Sequence, residues 1–371
     1  MRILGQISGG LEELGAGELK TLGAERIEPV YRGVFFETDT AGTMRVNYCS
    51  RLFDRFLLPV ARFSCSTSDG LYGKALKHPW ENLFGVNSTF SITSAASGRS
   101  IKNSKWAALR LKDAIADHFR EICGKRPSVD RRDADVKLDL RVRGTMAEIR
   151  LDLSGGALHR RGYRKETVKA PMRETTAAAA LAMSGWDGSR PLVDPMCGSG
   201  TLLCEALMAH CRIPAGFYRT RWGFFRMEGF SKLEWKKVKA EADDRIISLE
   251  PGLISGSDLS MDAVMAARAN LDTFRDGSLV KLKQEDWRGA RGYEDSFIIT
   301  NPPHGIRIFE ETAGALLNEF GNFLKQKCRG SEAWVFVGDT KLLKKVGLRT
   351  SKRLELPSGG LDGRLARYEL Y

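Results

Sequence analysis

The stretch Leu192-Val193-Asp194-Pro195-Met196-Cys197-Gly198-Ser199-Gly200-Thr201 determines how the C-terminal part of this chain folds. It begins as a short apolar strand that ends at Asp194, and apolar residues dominate again from Thr201 to Cys211, which predicts a helix. Glycines between a strand and a helix permit a sharp turn and let backbone approach a ligand closely. In open α/β sheets such turns lie at the carboxyl edge, where ligands bind. The stretch therefore predicts a strand, a ligand-binding turn and a helix.

The alternation of strands and helices continues beyond this turn. Further apolar strands are predicted at 253–258, 297–300 and 333–337, and a further helix at 260–271. This order is typical of a parallel sheet that is covered on both faces. The last segments, 353–356 and 365–370, predict an antiparallel hairpin. We expect an α/β, Rossmann-like domain over residues 159–371, in which a parallel sheet is closed by an antiparallel C-terminal hairpin strand.

The first part of the chain has a different pattern. A strand, a helix and two further strands are predicted in the segments 2–8, 11–22 and 30–36. This β-α-β-β order favours a small ferredoxin-like α+β unit, which we place at residues 1–63.

A second N-terminal unit is predicted at residues 64–158. It contains a helical pattern at 105–122 and two alternating segments, 136–142 and 147–153, which predict a hairpin. The alternation of polar and apolar residues along both segments predicts that one face of this hairpin is polar. Such a face is either solvated or used for binding.

The composition favours a polyanionic partner. The 371 residues, of which 42% are hydrophobic, are enough for two or three folded domains. Lys and Arg number 58 against 46 Asp and Glu, a net charge of +12 that favours nucleic acid as a partner. No apolar run reaches the roughly 18–20 residues of a membrane span, and the N-terminus lacks the apolar stretch of a signal peptide. We expect a soluble, cytoplasmic protein without a membrane partner.

The cysteines predict neither disulfides nor a metal site. Seven are present, an odd number without a Cys-x-x-Cys pair, which favours reduced thiols in the cytosol. Cys197, Cys204, His210 and Cys211 lie close together in the sequence, but their spacing matches no zinc-binding pattern. We interpret these three cysteines as small buried residues and expect no bound metal.

Three nucleotide cofactors compete for the glycine turn. A phosphate loop needs a lysine after its last glycine, but Thr201 follows Gly200. A dinucleotide site needs a third glycine, where this chain has Leu203, and an acid about 20 residues later. S-adenosylmethionine remains, because it carries no phosphate and calls for acids near its cationic end, its ribose and its adenine.

Three strand-end acids, Asp194, Asp258 and Asp286, fit those three positions on S-adenosylmethionine. Each could instead cap a helix, but their joint occurrence favours the cofactor. The residues predicted to bind it are Asp194, Met196, Cys197, Gly198, Ser199, Gly200, Thr201, Asp258, Leu259, Asp286, Trp287 and Asn301.

The motif Asn301-Pro302-Pro303-His304 follows an apolar strand and indicates the chemistry. An exocyclic base amine is a poor nucleophile, because its lone pair is delocalised into the ring. The Asn301 side-chain oxygen and the Pro302 carbonyl can accept its two N–H groups and stabilise the charge that develops on it. The prolines fix that carbonyl and add no competing donor, and His304 is expected to stack on an extruded base. We predict all four as catalytic residues, in preference to a simple Asn-Pro turn.

Basic residues are concentrated between positions 99 and 173. An excess of cations in one region is the electrostatic footprint of a nucleic-acid-binding surface. The residues predicted to contact RNA are Lys102, Lys105, Arg160, Arg161 and Arg164.

The chain resembles a known enzyme family in five segments. These are 151–155, 158–164, 170–174, the glycine turn at 194–201, and Asn301-Pro302-Pro303. Together they look like the bacterial THUMP-containing guanine-N2 methyltransferases of 23S ribosomal RNA, specifically the N-terminal half of a fused enzyme. The resemblance implies that the second N-terminal unit is a THUMP RNA-binding domain and that 23S rRNA, or a ribosome precursor, is the partner. The family usually has tyrosine where this chain has His304, which leaves stacking intact but changes its area.

Two alternatives stay open at this point. The Asn-Pro-Pro motif serves both base amines, so a tRNA guanine-N2 or an adenine-N6 methyltransferase would carry the same residues. The second alternative is a catalytically idle RNA-binding assembly factor, in which only the N-terminal units have a function. Measured affinity for S-adenosylmethionine separates the idle factor from the enzymes.

Overall fold

The computed structural model describes residues 1–98, 101–168, 171–303, 310–357 and 362–371. Its N-terminal elements follow the predicted order. They are β1 (Arg2–Gln6), α1 (Glu12–Thr21), β2 (Glu25–Val30), β3 (Gly33–Glu37), α2 (Thr40–Cys49), β4 (Arg55–Ser64), α3 (Ser68–Leu76), β5 (Thr89–Gly98), α4 (Ser104–Cys123), β6 (Ser128–Val129), β7 (Val136–Gly144) and β8 (Met146–Asp152). The predicted order of strands and helices is confirmed, but β2 lies before Tyr31, and the turn that follows it is at Tyr31–Arg32 instead of at Gly33.

The two N-terminal units share a single sheet. In the described part of the chain its eight strands run in the order β2-β3-β1-β4-β8-β7-β5-β6. Strand β4 crosses the proposed boundary between residues 63 and 64, pairing with β1 on one side and with β8 on the other. The boundary therefore separates two arrangements of helices and strands, but the hydrogen-bonded sheet continues across it.

The C-terminal elements form a seven-stranded sheet. They are α5 (Glu174–Ser184), β9 (Leu192–Asp194), α6 (Thr201–His210), α7 (Lys232–Asp243), β10 (Ile254–Asp258), α8 (Met261–Leu271), β11 (Lys281–Gln284), β12 (Phe297–Thr300), α9 (Glu310–Lys327), β13 (Glu332–Val337), β14 (Lys352–Glu355) and β15 (Arg364–Glu369). The strand order is β11-β10-β9-β12-β13-β15-β14. Strands β9 to β13 pair in parallel, whereas β15 pairs antiparallel with β13 and β14. The predicted fold class, with its antiparallel closing hairpin, is confirmed.

Strand β9 lies where the chain reverses direction across this sheet. It pairs with β10 on one side and β12 on the other. Such a reversal opens a crevice at the carboxyl ends of the central strands, which is where ligands bind in open α/β sheets. The glycine turn follows β9 and the Asn301 motif follows β12, so the fold brings both predicted motifs to the same crevice.

One hydrophobic core runs through all three predicted units. Phe53, Ile149 and Leu203 belong to the same cluster of buried side chains. Tyr48, at the end of α2, packs edge-on against Trp222 and Trp235 of the C-terminal unit. Removal of the N-terminal units would therefore expose apolar surface on residues 159–371, and surface substitutions test RNA contact more cleanly than a deletion.

The predicted polar face of the β7–β8 hairpin is present, but its middle is buried, whereas Arg143 at its end is exposed. Asp139 and Arg150 are 2% and 7% exposed. Arg150 lies 2.5 Å from Glu148 and 3.7 Å from Asp139, and Arg141 lies 2.9 Å from Asp139. The charges in the buried middle of this face therefore neutralise one another, as buried ionic groups must. Among the described helices, none is both long and apolar enough to cross a membrane.

Candidate active site

The glycine turn takes the shape that its sequence requires. Gly198 and Gly200 have φ angles of +54° and +76°, in the left-handed region that disfavours side chains. Helix α6 starts directly afterwards at Thr201, and a Cβ atom added to Gly200 would lie only 3.0 Å from that of Ala267. The turn thus brings backbone to the crevice and lets α6 pack closely on α8.

The predicted residues converge on one pocket of about 510 Å³. This volume lies within the range of roughly 300–1,000 Å³ found for cofactor sites. The predicted residues that line it are Asp194, Met196, Cys197, Gly198, Ser199, Thr201, Asp258, Leu259, Asp286, Trp287, Asn301, Pro302 and Pro303. Gly200 does not line it and instead precedes helix α6. His304 lies outside the described residues.

Asp194 places an unpaired carboxyl group in this pocket. It is 1% exposed, and its Oδ1 accepts hydrogen bonds from the Thr300 hydroxyl at 2.7 Å and the Met196 N–H at 3.2 Å. Within the described ranges no Lys, Arg or His lies within ion-pair distance of it. Burial raises the pKa of this carboxyl to about 7. A buried acid without a cationic partner suits a ligand that carries its own positive charge, as S-adenosylmethionine does.

The pKa of Asp194 makes a prediction about pH. A bound cation favours the ionised carboxylate, so S-adenosylmethionine affinity should fall about tenfold between pH 8 and pH 6, as the group protonates around pH 7. Isothermal titration calorimetry across this range measures the effect. Asp194→Asn, which keeps the acceptor for Thr300, should bind weakly at every pH.

Ionisation of Asp194 affects the stability of the fold in the opposite direction to cofactor affinity. The folded pKa lies above the ordinary value of 3.8, so ionisation of Asp194 opposes folding. Its protonated form favours the fold below the unfolded pKa, and this contribution disappears as the pH rises through about 7. Asp194→Asn should consequently be no less stable than the wild type at pH 8.

For the affinity prediction, the contradicting outcome is a wild-type affinity for S-adenosylmethionine that does not change with pH. That result would contradict the role of Asp194 in the cofactor site.

Asp258 fixes the glycine turn to the end of β10. Its Oδ2 accepts the Gly198 N–H at 2.9 Å, and its Oδ1 accepts the Ser260 N–H at 3.0 Å. A carboxylate has about four lone-pair sites, so each oxygen can accept a further donor such as a ribose hydroxyl. The bonds that fix the turn therefore leave room for a cofactor role at this residue, and the N-cap of α8 is Ser260 instead of Asp258.

Replacement of Asp258 tests both of these roles. Asp258→Ala should weaken S-adenosylmethionine binding by about 1.5–3 kcal/mol, the range for hydrogen bonds to charged groups. Asp258→Asn keeps an acceptor but loses the charge, and it should lie between the alanine variant and the wild type in calorimetry. A folded Asp258→Ala protein with wild-type affinity would remove Asp258 from the cofactor site.

Asp286 has a similar double role after β11. Its Oδ1 accepts the Arg288 N–H at 3.0 Å, and the Arg288 guanidinium lies 3.3 Å from its Oδ2. That guanidinium also pairs with Glu319 at 2.7 Å and lies 4.6 Å from the centre of the Trp287 ring. Trp287 is itself buried against Phe320. Arg288 and Phe320 therefore hold Asp286 and Trp287, which line one side of the pocket, in position.

Asn301 follows β12 and presents an unused acceptor. Its side-chain Oδ1 is buried and has no hydrogen-bond partner among the described residues. A buried polar atom without a partner costs roughly 1–3 kcal/mol, so a functional role in the pocket is one explanation for an acceptor left in this state. The oxygen belongs to a residue of the same pocket as Asp194. Its position fits an N–H donor that arrives with a substrate.

Two of the predicted RNA contacts are wrong. Arg161 is 1% exposed, lies 3.3 Å from Glu205, and donates to the carbonyls of Leu158 and Arg51. Arg164 donates to Glu174 at 2.8 Å, to Ser199 at 3.2 Å and to Thr201 at 3.0 Å. The nitrogens of both guanidinium groups are engaged within the protein and hold its parts together. Arg160, Lys102 and Lys105 are exposed, and their contact with RNA stays a prediction.

Two positioning residues behind the glycine turn were missed or misassigned. Arg164 supports the turn through the hydroxyls of Ser199 and Thr201. Asn270, fully buried in α8, donates to the carbonyls of Ser199 and Glu166, each at 3.0 Å. The signal for Asn270 was present in the sequence, because an asparagine among the alanines of an otherwise apolar helix face needs buried partners.

The cysteines near the turn are buried, as predicted. Cys197, Cys204 and Cys211 are at most 7% exposed. Burial raises the pKa of the Cys197 thiol well above its usual value, so it is neutral and unreactive near pH 7.

Comparison with known proteins matches the whole length of the chain. The family described as RMKL-like, methyltransferase domain matches residues 161–367, the THUMP domain matches 65–152, and the RlmL ferredoxin-like domain matches 6–57. A ribosomal RNA large subunit methyltransferase K/L from Photobacterium profundum is 35% identical over 369 residues, which are 97% of this chain and 52% of that protein. This chain therefore spans about half the length of that relative.

Two further similarities extend over complete proteins. A Synechocystis protein named as an RNA methyltransferase is 35% identical over 369 residues, 98% of this chain and 96% of its own length. A crystal structure described as that of a methyltransferase complexed with SAH is 25% identical, with a TM-score of 0.87, and the match covers 100% of this chain and 98% of that chain. SAH is the demethylated form of S-adenosylmethionine, the cofactor that the residues of this chain's pocket predict. The chain belongs to the RMKL-like methyltransferase family and carries both the THUMP domain and the RlmL ferredoxin-like domain.

Proposed function

We propose that this protein is an RNA methyltransferase that modifies the exocyclic N2 amine of a guanosine, with 23S ribosomal RNA as its substrate. The observation that carries the proposal is the unpaired, buried Oδ1 of Asn301 in the pocket that also holds the unpaired carboxyl of Asp194. The Asn301 oxygen can accept a hydrogen bond, and the Asp194 carboxylate attracts a cation. A base amine and a sulfonium cofactor have those two properties.

The residues of the pocket act on the amine and supply no covalent intermediate. One N–H of the amine donates to Asn301 Oδ1 and the other to the Pro302 carbonyl, which turns the nitrogen lone pair towards the methyl donor. S-adenosylmethionine supplies the methyl group, so a carbon–nitrogen bond forms as the carbon–sulfur bond breaks. Positive charge develops on the amine, which Asn301 stabilises, and the methylated amine then releases one proton to solvent water. His304 remains the predicted stacking residue for the base.

RNA as the substrate rests on independent observations. The chain carries a THUMP domain and a net charge of +12. Two of its relatives are named as methyltransferases of ribosomal RNA or of RNA. Exposed cations such as Lys102, Lys105 and Arg160 can contact phosphates.

Analysis of modified nucleosides tests the proposal. Purified protein is incubated with labelled S-adenosylmethionine in three separate reactions, which contain 23S rRNA, a ribosome precursor or tRNA. The RNA from each reaction is then digested for mass spectrometry. We expect N2-methylguanosine in the rRNA, with Asn301→Ala as the matched inactive control. Detection of N6-methyladenosine would support the same mechanism with adenine as the target base. Methylation of tRNA instead of rRNA would mean that tRNA is the substrate. Cofactor binding without any methylated RNA would favour the assembly-factor alternative.

A further inference from the structure

A second cleft, of about 980 Å³, lies on the eight-stranded sheet of the N-terminal units. Its lining includes β3 and β4 and the β7–β8 hairpin, together with Pro357 and Asp362 near the C-terminal hairpin. The cleft therefore contacts all three units. None of the residues assigned to the cofactor pocket contributes to it.

Positive charge predominates in this cleft, whose lining has six arginines against the three acids Asp54, Glu148 and Asp362. Arg32, Arg62, Arg143 and Arg173 line it and are exposed, and within the described ranges none has a carboxylate at ion-pair distance. Their neighbours Arg141 and Arg150 differ, because both are paired with acids of the same sheet face. Four guanidinium groups without an acid partner, of which that of Arg32 lies 5.8 Å from the centre of the Tyr31 ring, suit the phosphates of a nucleic-acid strand.

An aromatic ring is displayed at one end of the cleft. Tyr31 lies at the tip of the β2–β3 hairpin and is 83% exposed. Arg32 beside it has a φ of +58°, which is strained for a residue with a side chain. Its N–H donates to Glu12 at 2.9 Å and its carbonyl accepts the Ile7 N–H at 3.3 Å. These bonds hold the tip in one conformation, so Tyr31 and Arg32 are presented to solvent in advance of binding.

The cleft adjoins the cofactor pocket. Arg173 lines the cleft, whereas Pro171 and Met172, directly before it in the chain, line the pocket. A strand that lies along the cleft therefore passes close to the segment that lines the cofactor pocket.

We propose that this cleft binds an unpaired RNA segment next to the target nucleotide, with a base stacked on Tyr31 and phosphates held by the four arginines. An unpaired segment is favoured over a duplex because an exposed ring can stack only on a base that has left its own stack. The identity of the ligand rests on the proposed function, whereas the charge and the aromatic platform do not.

The test compares single-stranded and duplex RNA. Fluorescence anisotropy measures the binding of a labelled single-stranded RNA oligonucleotide, and of the same sequence in a duplex, to the full chain without S-adenosylmethionine. Tyr31→Ala should weaken single-strand binding about tenfold, while Tyr31→Phe keeps it and duplex binding stays unchanged. Arg62→Ala and Arg143→Ala should each weaken binding and lower the slope of log affinity against log salt by about 1.

Arg329 supplies the matched control. It is an exposed arginine just before β13, at the opposite edge of the parallel sheet from the cofactor pocket, and it lines neither cleft nor pocket. Arg329→Ala should bind RNA like the wild type. All the substituted side chains are exposed, so each variant should keep the wild-type melting temperature.

Each outcome separates the cleft from the proposed function. Unchanged RNA affinity in the Tyr31 and arginine variants, with RNA methylation intact, would overturn the cleft and leave the proposed function standing. Cleft-dependent RNA binding without methyl transfer to any RNA would overturn the proposed function alone. Equal losses for duplex and single strand in Tyr31→Ala, or displacement of the RNA by polyglutamate as readily as by unlabelled RNA, would show a generic anion site and contradict the proposal.

Discussion

Asn301→Ala should reduce turnover about a hundredfold or more while leaving the fold and S-adenosylmethionine binding nearly unchanged. The factor is that for the loss of one preorganised electrostatic group. The glycine turn and Asp194, Asp258 and Asp286 are predicted to supply most of the cofactor contacts, so we expect its affinity to depend little on the Asn301 oxygen. Because that oxygen is buried without a partner, its removal should also leave stability equal or slightly higher.

The ordering of variants makes this result specific. His304→Ala should cost less turnover than Asn301→Ala and should mainly weaken productive RNA binding, by about 1–3 kcal/mol of lost stacking. His304→Tyr, which restores the usual family residue, should be active. Single-turnover rates and calorimetry separate the two effects. If Asn301→Ala keeps its turnover while His304→Ala loses it, then His304 acts as an acid or base and the proposed mechanism is wrong.

The features that could be predicted from the sequence are local ones. The glycine turn, Asp258 and Asn301 each follow an apolar strand, and the carboxyl ends of parallel strands meet at one edge of a sheet. Strand order did not need to be known for the pocket to be predicted. The positive φ angles at Gly198 and Gly200 likewise follow from residue type at a strand-to-helix turn.

The features that could not be predicted depend on distant partners. Arg161 has the appearance of a surface cation until α6 brings Glu205, 44 positions away, against it. Asp139 and Arg150 read as a solvated strand face because their mutual pairing depends on register between β7 and β8. The shared N-terminal sheet has the same origin, since β4 pairs with strands from both units. Sequence pattern gives the direction of side chains and leaves undetermined which element covers them.

Arg161→Met should lower the free energy of unfolding by about 3–5 kcal/mol, the cost of breaking a buried ion pair from one side. Arg161 is 1% exposed and Glu205 is fully buried, with 3.3 Å between the Nε of the first and the Oε1 of the second. Without the guanidinium, Glu205 keeps only a 3.4 Å contact with the Tyr163 hydroxyl and the more distant Arg51, at 4.0 Å. Urea denaturation measures the loss as a lower midpoint.

A paired substitution distinguishes this cause from simple loss of packing. Arg161→Met combined with Glu205→Leu removes both charges, so much of the lost stability should return. Recovery should be incomplete, because Arg161 also donates to the carbonyls of Leu158 and Arg51, which neither new side chain can satisfy. Glu205→Leu alone should be destabilising too, since it leaves Arg161 charged and buried.

The same variants decide between the structural role and the RNA contact at Arg161. Helix α6, which carries Glu205, begins at the glycine turn, so a weakened pair should lower cofactor affinity together with stability. RNA affinity of the folded Arg161→Met protein should stay near that of the wild type, in contrast to Arg143→Ala in the exposed cleft. If Arg161→Met instead unfolds like the wild type and loses RNA binding with a lower salt slope, then the guanidinium contacts phosphate and its assignment to the interior is wrong.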